Sequence, residues 1–360
     1  MTATAVSQGE HDPALHKERT SEITLSLSPT EVSQLKAAAE HCVAAGIVAD
    51  PEEFVTRAQR YVRYLPADLV DGMLSFRRYG SPTGGLLIHG CPTFDVPETP
   101  EAATLCLGTT LPAAGVLGII TAVLGDQYGF KPELAGRIVQ DILPVAGFEY
   151  TQQSISSEAP LSNHMEMAFT EDRADYVALF CLRADHDRVA GTTMSPIEAM
   201  LPRLSARAVD ALREPRFKTT VDGSFLLGMN RTDPIYIGPI RVLSGSITRP
   251  RIRADFAETT GLDSVAQAAL DEFCQVADET AIEIRLAPGD LLFVDNHHAF
   301  HGRTPFRARW DGADRWLLRT FVARDLSRSE AHRPGDGRIV DNDYSSGEDV
   351  FRDDTAYGWS

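Results

Sequence analysis

The order of its hydrophobic patterns constrains this chain most: helical periodicity comes first, and strand-like runs dominate later. Ser28-Pro29-Thr30-Glu31 reads as a helix start, with an N-cap serine, proline at the first helical position and glutamate closing a capping box. Val32, Leu35, Ala38 and Ala39 then share one face, and Gly46 is a stop. Asp50-Pro51-Glu52-Glu53 repeats the pattern ahead of Phe54, Ala58, Tyr61 and Leu65. Residues 113–125 read as an apolar helix. Strands are expected at 84–90, at Tyr176–Leu182, at the alternating run 280–286 and, after the turn Pro288-Gly289-Asp290, at Leu291–Val294. Trp316–Val322 is another. Helices first and strands later predict an α+β domain on an antiparallel core. Residues 197–275 mix helical patterns (197–213, 262–277) with extended pieces. They are expected to form an insertion that covers one mouth of the sheets. The expected boundaries are a disordered tail over 1–22, a single domain over 23–327 and a surface tail over 328–360.

Composition narrows the function classes. With 360 residues and 43% hydrophobic content the chain can bury one large core. A net charge of −17 repels polyanions, and the densest basic stretch, Arg249–Arg253, runs straight into Asp255. Nucleic acid is therefore not an expected partner. The five cysteines are odd in number, widely spaced and without a CxxC pair, which argues against a disulfide framework or zinc knuckle and for a reduced, cytoplasmic setting. No apolar run approaches the length of a membrane span, and the first residues lack the apolar segment of a signal peptide.

The chemistry-bearing residues lie in two segments. Asn163-His164-Met165-Glu166 places a histidine and a carboxylate two apart, on one face if the segment is a strand. Asp295-Asn296-His297-His298-Ala299-Phe300-His301-Gly302-Arg303 offers further imidazoles. Two histidines and one carboxylate on one face of a metal leave three positions open, as in non-haem Fe(II) oxygenases. The same donors also suit catalytic zinc. Arg315 and Arg319, four apart in a strand, share a face with Leu317 and Phe321. Burying two guanidiniums there is costly unless anions meet them, and two carboxylate ligands would do so. The alternative turns both arginines outward, with Trp316, Leu318 and Thr320 inside. His297 and His298 would face opposite ways in a strand, and both are expected to be structural.

Read in order, the motifs Gln140-Asp141-Ile142-Leu143-Pro144, His164-Met165-Glu166-Met167-Ala168-Phe169, Arg173-Ala174-Asp175-Tyr176, Pro288-Gly289-Asp290, Asp295-Asn296, His301-Gly302-Arg303, Arg309-Trp310-Asp311-Gly312 and Asp314-Arg315-Trp316 make a specific set. Over residues 25–340 the chain resembles the clavaminate synthase-like branch of the Fe(II)/2-oxoglutarate oxygenases, which includes arginine, asparagine and lysine hydroxylases. The resemblance implies a double-stranded β-helix (jelly-roll) core flanked by the N-terminal helices, with Fe(II), 2-oxoglutarate and O2 at its open mouth. It implies His164, Glu166 and His301 as iron ligands. Arg315, fourteen residues after His301, would meet the distal carboxylate of 2-oxoglutarate. Thr192 would assist, with Thr193 a rival because Gly191 reads as an insertion. Arg319 and Ser154 would hold the substrate α-carboxylate, and Glu133 its amine.

The arginine hydroxylases of this branch grip a guanidinium with two lid acids spaced one apart. Here the matching stretch is Arg253-Ala254-Asp255-Phe256: one acid is kept and the other is an arginine. A single carboxylate suits an ammonium or ureido group, and Asp222 is a candidate to join it. The segments around Asp222 and over Ser329–Gly335 resemble the lysine hydroxylases. The expected reaction is hydroxylation of an unactivated side-chain carbon of free L-lysine, with L-arginine, L-citrulline or L-asparagine as alternatives. Two readings of another class are a zinc-dependent hydrolase, against which stands the lack of an HExxH motif, and a non-catalytic jelly-roll binding protein. Homo-oligomerisation is left open.

Overall fold

A computed structural model describes residues 20–345. Strand β1 (Glu22–Thr24) precedes α1 (Pro29–Val43), whose capping box forms as expected: the Ser28 hydroxyl accepts from the Glu31 amide (3.3 Å) and the Glu31 carboxylate from the Ser28 amide (2.8 Å). Helix α2 (Pro51–Tyr61) starts at Asp50, which accepts from the Glu53 amide. A third helix, α3 (Ala67–Tyr79), was not expected; its N-cap is Pro66, with no side-chain cap to announce it. After β2 (Gly85–His89), α4 (Pro112–Thr121) is buried on all sides except its first turn, and a Cβ on Gly115 would collide with the Ala39 backbone of α1. That close crossing explains a glycine inside a helix, where its entropic cost is otherwise unrewarded.

The strands β3 (Asp126–Phe130), β4 (Gln140–Ile142), β5 (Leu161–His164), β6 (Tyr176–Arg183) and β7 (Thr192–Pro196) follow. The insertion holds α5 (Ile197–Met200), α6 (Ala206–Leu212), β8 (Phe217–Thr220), α7 (Gly223–Gly228), β9 (Tyr236–Ile240), the hairpin strands β10 (Leu243–Ser244) and β11 (Arg251–Ile252), β12 (Thr260–Gly261) and α8 (Ser264–Thr280). The chain then returns through β13 (Ile282–Ile284), β14 (Leu291–Asp295), β15 (Ala299–Arg303), β16 (Trp316–Ala323) and β17 (Ile339–Val340).

The large sheet runs β1-β2-β14-β6-β16-β3-β17, with β4 also on β16; the small sheet runs β13-β7-β15-β5. All these pairs are antiparallel except β1–β2 and β3–β17. The continuous apolar run of β6 follows from its place between β14 and β16 with both faces covered. Val177, Leu179 and Cys181 belong to the core shared with the small sheet and the insertion, while Tyr176, Ala178, Phe180 and Leu182 pack with the N-terminal helices.

The insertion shares one hydrophobic core with the sheets, through Met200, Leu212, Phe217, Leu270 and Phe273. The terminal expectations need correction. The tail expected over 1–22 falls outside the described residues as far as 19, and Glu22 already pairs in β1. Residues 326–345 are not a surface tail: they make two 3-10 turns and β17, and bury Val340 and Tyr344. An apolar pair as short as Ile339-Val340 leaves no periodic signal. The acidic run from 348 lies outside the described residues. All five cysteines are free thiols, and among the described residues no single helix is long and apolar enough to cross a membrane.

Candidate active site

Antiparallel β5 and β15 place His164 directly opposite His301, with ring centroids 4.3 Å apart. Strand β5 ends at His164, so Glu166 does not reach the same side by strand alternation as expected. It sits in a turn whose next residue, Met167, has φ +58°. Asn296 fixes that turn: its carboxamide oxygen accepts from the Glu166 amide (2.9 Å), and its nitrogen donates to the carbonyls of Glu166 (3.1 Å) and Ala174 (2.9 Å). One donor atom from each of His164, Glu166 and His301 falls within 4.8 Å of the others, and His301 Nε2 lies 3.7 Å from Glu166 Oε1.

Burial works against ionising Glu166, but the charges of Arg319, His301 and His164 outweigh it and hold the carboxyl well below its usual range. Burial and the neighbouring His164 lower the pKa of His301. A carboxylate kept ionised beside an imidazole kept neutral is the protonation a divalent metal requires, so these donors fit a 2-His-1-carboxylate iron site.

Arg315, just before β16, and Arg319 within it both face inward, as the alternation of Leu317 and Phe321 predicts, but they differ in partners. Arg319 is not waiting for an anion: it donates to Glu166 Oε1 (3.0 Å), Glu133 Oε1 (2.9 Å) and twice to Gln140 Oε1. Four of its five N–H groups are used, which corrects the expectation that both arginines need ligand carboxylates. Arg315 is equally buried, yet among the described residues no hydrogen bond or ion pair reaches its guanidinium; only the Phe306 ring lies under it at 5.7 Å. Burial lowers its pKa. A buried cation with no contacting anion, and only a more distant pull from Asp185, is expensive unless a ligand supplies one.

Both arginines line a cavity of about 570 Å³, as do His164, Glu166, His301, Thr192, Ser154, Glu133, Asp222 and Asp255. Every residue assigned to iron, 2-oxoglutarate or substrate, apart from the rival Thr193, is thus brought to one space. Thr192 lines it and Thr193 does not, which favours the first of the two rivals. The lid side is acidic. Burial, then the charges of Asp255, Glu166, Glu133 and Glu258, push Asp222 well above the usual carboxylate range. Burial likewise raises Asp255, although His164 opposes it. Arg253 does not enter the cavity; it bonds the Ala168 carbonyl and pairs with Glu171.

Sequence reasoning assigned no role to two charged lining residues, Arg303 and Glu258. Arg303 sits two positions after His301 in the same strand, so strand alternation was signal enough to find it. Its guanidinium gathers the carbonyls of Ser156, Ser157 and Ala159, and burial with the charge of Arg315 lowers its pKa to about 10. Glu258 announced itself by nothing beyond proximity to Asp255. His297 and His298 are structural: they occupy the β14–β15 turn and meet Asp175 and Asp295 at 3.0 Å. A second imidazole–carboxylate group, His186 with Asp311 and Asp314, lies outside the cavity lining.

Comparison with known proteins follows the same lines. Residues 83–321 match the family model of the taurine catabolism dioxygenase TauD, TfdA family. The L-asparagine oxygenase of Streptomyces coelicolor is 40% identical over 293 residues, covering 81% of this chain and 86% of the relative. The L-lysine 3-hydroxylase of Catenulispora acidiphila is 33% identical over 329 residues, covering 89% of each. A solved asparagine oxygenase in complex with Fe(II), 2S,3S-3-hydroxyasparagine and succinate superposes with a TM-score of 0.81 at 36% identity, over 90% of this chain and 100% of the other.

Proposed function

We propose, on the premise that this chain belongs to the TauD/TfdA dioxygenase family and to its clavaminate synthase-like amino-acid hydroxylases, that it hydroxylates a side-chain carbon of free L-lysine. The chain is a 2-oxoglutarate-dependent dioxygenase that works with Fe(II), 2-oxoglutarate and O2. Iron, when bound, supplies the oxidative decarboxylation of 2-oxoglutarate to succinate and CO2, with transfer of one oxygen atom into a substrate C–H bond.

In this reading the two facing sheets are a double-stranded β-helix, with the site at its open end. His164, Glu166 and His301 hold the iron. Arg315, with Thr192 beside it, takes the distal carboxylate of 2-oxoglutarate; the observation that carries this assignment is the buried guanidinium without a counter-ion. Glu133 receives the substrate's α-amine. The one N–H that Arg319 has left, together with Ser154, receives its α-carboxylate. Asp222 and Asp255 meet the distal ammonium and hold the chain so that one side-chain carbon faces the iron. The surrounding apolar walls keep out water, which protects the oxidant. We place the enzyme in the cytoplasm on its five free thiols.

The choice of lysine rests on the lid. Several carboxylates face one another there with no lid cation among the lining residues, so a cationic substrate end relieves their repulsion. A second reading, L-asparagine, is favoured by the 40% identity to an asparagine oxygenase. Its amide N–H groups suit one carboxylate but leave the others uncompensated.

Anaerobic Fe(II) with 2-oxoglutarate should give a visible charge-transfer band, which a zinc hydrolase or an inactive scaffold would not. In a panel of free lysine, arginine, citrulline and asparagine, succinate release and product mass should single out lysine. Consumption of asparagine or arginine alone would overturn the lid argument.

A further inference from the structure

We infer that residues 326–344, which overlap the surface tail expected from 328, form a strap that sets substrate fit by holding the two acid-bearing walls of the cavity, with Tyr344 as its key positioning residue. This rests on the substrate reading above.

The strap touches each wall separately. Strand β17 pairs in parallel with β3, and the Lys131 amide donates to the Val340 carbonyl (2.8 Å), two residues before Glu133. Lys131 Nζ reinforces this with Asp341 (2.6 Å). His332 holds Asp172 (2.7 Å), and Arg328 reaches the Arg173 carbonyl and Asp175, all just beyond the turn that carries Glu166.

Tyr344 then closes the arrangement from behind the lid. Its ring meets Phe169 edge-on at 5.0 Å and Phe225 at 6.0 Å, and these two rings lie 5.0 Å apart. Phe225 belongs to α7, whose N-cap is Asp222. The far end of α7 rests on the segment before Glu133, because a Cβ on Gly228 would collide with the Pro132 carbonyl. A six-residue helix has little stability of its own. The direction of Asp222 is therefore set by what Phe225 and Gly228 lean on. The strap supplies one of those supports and stiffens the other.

Arg315 sits just before β16, Thr192 on β7 and the His164–His301 pair on β5 and β15, and none of them is among the strap's partners. The strap should therefore tune the amino acid and leave the keto acid alone. Tyr344→Ala in the full chain should raise the KM for the preferred amino acid by roughly tenfold, since small displacements of positioning groups carry effects of this size or more. It should also raise the ratio of succinate formed to hydroxylated product, while the affinity for 2-oxoglutarate, read from the anaerobic charge-transfer band, stays within about twofold. Tyr344→Phe, which keeps the ring, should restore KM and coupling. A Tyr344→Ala protein that binds 2-oxoglutarate normally and retains parental KM and coupling overturns the inference. So does a parallel loss of both ligands, or failure of the phenylalanine variant to rescue. A parent enzyme inactive on every amino acid of the panel would instead overturn the functional reading.

Discussion

The two ends of the cavity carry opposite charge and are built in opposite ways. At the sheet end, Arg315 and Arg303 stand close enough for their charges to oppose each other, Arg303 on β15, which is paired on both sides, and Arg315 just before β16. At the lid end, Asp222 caps a six-residue helix and Glu258 sits in a turn, while Asp255 is tied by a single β-bridge to His164. The iron donors lie between. The rigid end suits the ligand that never varies, a dicarboxylate keto acid. The end made of short elements suits the ligand that distinguishes one enzyme of this kind from another. Its carboxylates face no lid cation among the lining residues, although Thr220 donates to Glu258 and the Ala257 amide to Asp255.

The hardest blow to this picture is aimed at the boundary between the two ends. His301→Ala should lower Fe(II) affinity by more than about 100-fold, beyond what loss of a merely supporting residue costs, and abolish turnover. Calorimetric or dye-competition titration of the apoprotein with Fe(II) checks it without relying on activity. Retained affinity would break the assignment of the donors.

The next contrast lies within the sheet end, between two arginines four residues apart. Arg319→Ala strands Glu166 and Glu133 as buried carboxylates and should destabilise the ligand-free protein by about 3–5 kcal/mol. Arg315→Ala removes a charge that has no partner and should leave stability within about 1 kcal/mol or improve it. Its cost appears on ligand binding instead: 2-oxoglutarate should weaken by roughly 2–5 kcal/mol, with little change in the amino acid's KM. Denaturant unfolding and anaerobic titration separate the two. Equal destabilisation by both substitutions would contradict the partner assignments.

The same contrast explains what was legible in the sequence. The sheet end could be read because strand periodicity is local: Leu317 and Phe321 fix the face of Arg315 and Arg319, and the HxE and HGR segments lie on single strands or at their ends. What could not be read were long-range satisfactions. Nothing near Arg319 says that Glu133 and Gln140, nearly two hundred residues earlier, already occupy it. Helix α3 carries no side-chain cap, and β17 is two residues long, so neither left a pattern. The turn that brings Glu166 round to His164 depends on Asn296, a contact between segments 130 residues apart. Strand periodicity together with the motif resemblance located the site, but the third dimension was needed to say which of its charges are already paired.

The smallest expected effect belongs to the lid end. Asp222→Asn removes a carboxylate that burial and its acidic neighbours disfavour, so it should stabilise the ligand-free protein by about 1 kcal/mol while weakening lysine binding. The pH dependence fixes the sign. With its pKa raised in the folded state, Asp222 keeps its proton to higher pH in the native protein than in the unfolded chain. Between the ordinary carboxylate value and that raised value, the native state binds more protons, so stability falls as pH rises through the window. Lysine affinity should climb over the same window, because the ionised carboxylate is the form that meets an ammonium. In Asp222→Asn both slopes should flatten but not vanish, since Asp255 is raised as well. Thermal unfolding across pH, with and without lysine, reads both at once. If the free protein instead grows more stable as pH rises through that window, and the substitution changes nothing, Asp222 is already satisfied within the protein, and the lid has no need of a cationic substrate.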